Sequence, residues 1–166
     1  AADPSAFDLR LDLALAVFHI SGGESALVEL NKMPVEKRNG DYFLLRAQIL
    51  DALGNFQEAV EALNRGFRAA PTRADLYYQS ALFLIKHERY LECLDLLQQA
   101  SKVLPNAREL LLLRAVTHKL LRQLREAEQL IVEIQSRWPE WSLPYLIHGI
   151  ILETRNDSQR AREQLE

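Results

Sequence analysis

Prolines at Pro71, Pro105 and Pro139 stand 34 residues apart. Small residues keep the same beat. Ala47, Ala81, Ala115 and Gly149 are also spaced by 34, and each is followed twelve residues later by another small residue: Ala59, Cys93, Ala127 and Ala161. A period of this length predicts helical units that bury their apolar faces by stacking on one another, a solenoid. Such a chain offers extended surfaces, so its architecture points to binding.

The stretch 40–73 shows the plan of one unit. Phe43, Ala47 and Leu50 recur at helical spacing and share a face. Gly54-Asn55 is a helix stop and a turn signal. Phe56, Ala59, Val60, Leu63 and Phe67 then mark a second amphipathic helix, which Pro71 ends because the residue before a proline is pushed out of helical space. The plan recurs over 74–107 and 108–141, and a fourth copy over 142–166 is expected to break off inside its second helix, near Ala161 and Leu165. A degenerate unit over about 7–39 precedes them, with Ala14 and Ala26 twelve apart, Gly22-Gly23 as its turn and Met33-Pro34 as its early stop. The whole chain, 1–166, reads as one domain.

The small residues at 47/59, 81/93, 115/127 and 149/161 have a mechanical reading. Two antiparallel helices joined by a short turn cross closely only where neither carries a bulky side chain. Cys93 fits this as a small packing residue rather than a nucleophile.

An aromatic or Leu, a small residue, Leu, then aromatic, small, Leu and Pro, on a 34-residue period from about Phe7 to Leu165, resembles the tetratricopeptide repeat (TPR). The resemblance implies an all-α, right-handed α-solenoid of antiparallel helix pairs, about four to five units, the first degenerate and the last truncated. The chain departs from the family at Arg46, Ser80, Arg114 and His148, where Leu is usual. The resemblance also implies that first helices line a concave groove. Applied to this chain, one groove row is Leu44, Tyr78, Leu112 and Leu146, and the next is Gln48, Leu82, Val116 and Ile150. A third row, Asp51, Ile85, Lys119 and Glu153, is polar apart from Ile85. The first two rows are mainly apolar and are the expected partner-binding residues; the competing reading makes their Leu and Ile ordinary core, especially in the run Leu110 to Leu113.

Some TPR domains grip a terminal carboxylate with Lys, Asn and Arg in the groove. The corresponding rows here hold no cationic cluster, which disfavours that function. Asp41, Asp75 and Glu109 mark the starts of first helices, and dipole complementation at helix N-termini explains them better than an acidic ligand rim.

Other chemistry is weakly signalled. The histidines at 19, 87, 118 and 148 show no metal-ligand spacing; His118 and His148 sit on first helices of neighbouring units, and hydrogen-bonded, partly buried roles are the expectation. A Gly-rich phosphate loop, a CxxC pair and a Ser/His/Asp set are all missing, so no enzyme, cofactor or metal is expected. A net charge of −3, with glutamates interleaved among Arg108, Arg114, Lys119, Arg122 and Arg125, argues against nucleic acid. No apolar run nears the ~18 residues of a membrane helix, so membrane insertion is not expected. The chain opens Ala1-Ala2-Asp3 without Met, as a processed secretory protein or an excised fragment would, and its single cysteine leaves the compartment undecided between cytoplasmic and extracytoplasmic.

The leading expectation is a non-catalytic scaffold that holds a peptide or helix of a partner protein in the apolar groove. The alternatives are a module that self-associates through its uncapped C-terminal unit, and the recognition arm of a larger multidomain protein. Small bacterial secretion chaperones with TPR folds are similar in length and groove character.

Overall fold

The structure, a computed structural model, describes residues 5–163, with side chains for residues 9–155. Along the described residues run α1 (Ser5–Ser21), α2 (Gly23–Asn31), α3 (Gly40–Ala52), α4 (Phe56–Ala69), α5 (Ala74–Lys86), α6 (Tyr90–Val103), α7 (Arg108–Leu120), α8 (Leu124–Arg137) and α9 (Leu143–Glu163). A single 3-10 turn at Val35–Lys37 sits between α2 and α3, and there is no strand among these residues. The fold is all-α, as the periodicity predicts. Packing groups the chain into two compact units, Ala1–Leu76 and Tyr77–Glu166, with the division falling inside α5.

Local chemistry sets the helix ends. After α3, α5 and α7 the chain enters the left-handed region at Gly54 (φ 78°), Glu88 (φ 57°) and Arg122 (φ 61°), again 34 residues apart. Each turn closes with the same two hydrogen bonds. Asn55 N donates to Leu50 O at 2.9 Å and Gly54 N to Asp51 O at 3.0 Å; Arg89 N and Gln123 N repeat the longer-range bond to Leu84 O and His118 O. This is the Schellman pattern, which satisfies the last carbonyls of a helix. The second helices end in another way. Ala70, Leu104 and Trp138 leave the helical region, with φ between −147° and −133° and ψ between 62° and 72°. Each precedes one of the periodic prolines, which excludes the helical region there.

The small residues of the first three pairs are buried: Ala47, Ala59, Ala81, Cys93, Ala115 and Ala127 are all at most 2% exposed. At one crossing the approach is measurable, with Cys93 Sγ 3.6 Å from Ala81 O. Among the described residues, one apolar cluster lies in each unit. In the first unit Ala14, Ala26, Leu30, Met33, Tyr42 and Ile49 pack together. In the second, Leu111, Leu112, Ala115, Ala127, Ile131 and Ile151 do so.

The degenerate unit is tied to α3 by polar groups. Asn39 caps α3, accepting from Tyr42 N at 3.0 Å. Such a cap is worth ~1 kcal/mol. Asn31 Oδ1 accepts from both Tyr42 Oη (3.2 Å) and Arg46 Nη1 (3.0 Å). Arg46 therefore occupies a site usually given to Leu because it serves this junction.

The fourth unit differs from its expectation. α9 continues without a break from Leu143 to Glu163, through the place where a turn and second helix were expected. In the regular units the second helix opens on a half-buried apolar or aromatic residue, Phe56, Tyr90 or Leu124; the fourth copy has Ser158 there. Reversal of the chain lacks that apolar anchor, and the stretch contains no Gly or Pro to stop the helix. Ala161 and Leu165 lie outside the residues whose side chains are described. Among the described residues Gly149 accordingly faces no second helix: a Cβ built on it meets nothing within 4 Å, so its expected role at a close crossing does not hold.

Candidate functional site

The first unit holds a cleft of about 360 Å³ between α1 and α3. Leu11, Leu15, Leu44 and Leu45 form its apolar walls, and Asp12, Asp41 and Gln48 its polar groups. Leu44 and Gln48, two of the expected groove residues, line this cleft. The contribution of α1 went unrecognised at the sequence level. Leu11 stands three residues before Ala14 and Leu15 one after it, the register that Leu44 and Gln48 keep about Ala47, and that is the signal that locates them.

Charge in this cleft is uneven. Asp41 accepts from Arg73 Nη1 at 2.7 Å, and the same guanidinium grips Asp75 through Nε at 3.0 Å. These bonds hold the Asp75 carboxyl below its usual range and raise Arg73. Glu109 is likewise held by Arg108 at 3.0 Å. Asp41, Asp75 and Glu109 each have a basic partner besides a helix N-terminus. Asp12 is exposed and pairs with none of the described residues.

In the second unit the groove rows divide. Leu82, Leu146 and Ile150 are 38%, 63% and 37% exposed. Tyr78 and Val116 are half-buried. Leu112 is buried within the core cluster, which corrects its placement in the groove row. The reason is the neighbourhood of α7, which packs against α6, α8 and α9. Three of its four consecutive leucines, Leu110 to Leu112, are consumed by that packing.

The residues with catalytic side chains have local partners. His118 Nδ1 lies 2.7 Å from Gln123 Oε1 at the α7–α8 turn. His148 Nε2 faces Glu128 Oε1 at 3.9 Å, within ion-pair reach but beyond a hydrogen bond, and Glu128 also accepts from Arg155 at 2.7 Å. His19 and His87 lie at a tilt beside the rings of Phe18 and Phe83. The Cys93 thiol lies 3.5 Å from Thr117 Oγ1, and burial pushes its pKa up against a smaller downward pull from that contact. No group of three or more His, Cys, Asp or Glu among the described residues is placed to hold a metal ion. No described helix is long and apolar enough to cross a membrane.

No protein-family model and no curated protein matches the chain. Solved structures do. MamA from Desulfovibrio magneticus RS-1 is similar with a TM-score of 0.69 at 19% identity, covering 99% of this chain and 93% of that one. PilF from Pseudomonas aeruginosa is similar at 0.70 and 17% identity, covering 96% and 73%. A tetratricopeptide repeat protein from Parabacteroides merdae gives 0.70 and 17%, covering 98% and 64%. These likenesses establish a TPR-like fold.

Proposed function

We propose that this chain is a non-catalytic protein-interaction scaffold, holding a peptide or helix of another protein against the faces of its first helices. The carrying observation is the exposure of large apolar side chains on those faces. Leu82, Leu146 and Ile150 are open in the second unit, and four leucines wall the α1–α3 cleft in the first. Apolar surface of this kind on a folded chain marks an interaction site more often than chance. These side chains are already partly covered, so each contributes about 0.5–2 kcal/mol when a partner buries the rest. The TPR-like fold supports a scaffold in general terms.

A photo-crosslinking amino acid tests the reading. It replaces Leu82 or Leu146 on first helices, or Val132, which is exposed on a second helix. The same partner protein is expected in adducts from the first two positions and not from the third. Adducts of equal yield from Val132, or none from Leu82 and Leu146, refute it.

A second reading, self-association through α9, is favoured by one specific feature. Tyr145, Leu146 and Ile150 are exposed on that helix, and the space over Gly149 is open among the described residues. Light scattering across a dilution series decides it: a strictly monomeric chain at high concentration removes the idea.

A further inference from the structure

We infer that the α1–α3 cleft selects a cationic side chain with an apolar stem, a lysine or arginine of the bound segment, with apolar neighbours on either side of it. The inference rests on the groove reading above and names the chemistry of the partner. Four leucines give the walls, and every polar side chain lining the cleft, Asp12, Asp41 and Gln48, can accept a hydrogen bond. None of the lining residues is basic. Asp41 shares Arg73 with Asp75, so that triad keeps one net negative charge, and Asp12, without a partner among the described residues, adds a second carboxylate. The cleft therefore presents beside its apolar walls one carboxylate, Asp12, with no partner among the described residues, and a second, Asp41, whose cation is shared with Asp75.

This arrangement penalises other occupants. A leucine or phenylalanine laid over Asp12 would strip water from a carboxylate and give it no partner. An acidic or carboxylate-ended segment would add like charge in the same place. A lysine or arginine lays its methylenes along Leu11, Leu15 and Leu44 and keeps its head at the carboxylates.

The probes are three 15-residue helical peptides on one Leu/Ala scaffold, differing only in a central Lys, Gln or Glu, read by fluorescence anisotropy. The Lys peptide is expected to bind about two- to fivefold tighter than the Gln peptide, the worth of one exposed ion pair, with Glu weakest. The Asp12→Asn variant, altered at an exposed site, should bring the Lys and Gln peptides to equal affinity, and added salt should do the same in the parent protein. Equal binding of all three peptides, each weakened by Leu15→Ala, overturns the charge selection while leaving the groove reading intact. Failure of all three to bind removes the groove reading for this unit and the inference with it.

Discussion

Replacing Arg122 by glycine should stabilise the protein. Arg122 sits at φ 61°, in the left-handed region, at the end of α7. A residue with a Cβ pays roughly 1–2 kcal/mol there. Its side chain is exposed and makes no ion pair with the described residues, so little is lost with it. Glycine gives back about 0.4–1 kcal/mol through the greater freedom of the unfolded chain. The net gain is about 0.5–1 kcal/mol. Both tryptophans, Trp138 and Trp141, lie in the same compact unit, so their fluorescence reports its unfolding. With a urea slope of ~2 kcal/mol/M, the midpoint should rise by about 0.3–0.5 M. Gly54→Ala is the mirror experiment at the equivalent turn, where an added Cβ meets nothing within 4 Å and the cost is purely conformational. It should lose a similar amount, read by far-UV circular dichroism. A lowered midpoint for Arg122→Gly, or no loss for Gly54→Ala, refutes the claim that backbone strain rather than side-chain contact governs these turns.

Gly149→Ala should stabilise by roughly 0.5–1 kcal/mol in urea, because the residue is inside α9 with open space above it; destabilisation would mean that a second helix does cross there. Ser80 is buried and its Oγ has no hydrogen-bond partner among the described residues, so Ser80→Ala should be neutral or gain about 1 kcal/mol by thermal melt, and a loss of that size would reveal a hidden bond. The Cys93 pKa is raised in the folded state, so its contribution to stability is fully present below the thiol's unfolded pKa of about 8.5 and is lost as pH rises beyond it. Cys93→Ala should flatten the alkaline limb of the stability profile, and thiol reagents should react with the parent only on unfolding. Ala115→Leu should overpack the α7–α8 crossing and cost about 1–3 kcal/mol in urea, since Ala115 and Ala127 are both fully buried; an unchanged midpoint would show a looser crossing.

Much of the local structure was legible in the periodicity. The prolines stop α4, α6 and α8, and the small residues mark crossings that are buried in the structure. These features act within a few residues of themselves, through φ restriction and side-chain bulk, so they can be read from a string of letters. The turns at Glu88 and Arg122 were less legible, since neither residue favours a positive φ. Closure of the helix pair imposes that conformation, and Gly54 alone announces it.

The candidate site was legible as a set of rows but not as a surface. Tyr78, Leu112 and Leu146 hold the same register in their units, yet the first is half-buried, the second is core and the third is open. Leu11 and Leu15 joined the site from the degenerate unit, at the same offsets from Ala14 that Leu44 and Gln48 keep from Ala47, and Asp12 came with them. Register on a helix is fixed by the chain's own spacing. Exposure depends on which other helices lie alongside: α7 has neighbours around most of its surface, while among the described residues no second helix returns over Gly149 on α9. The order of letters therefore fixes where each helix starts, stops and carries its greasy side, and the packing of distant segments fixes which of those sides remains free to meet a partner.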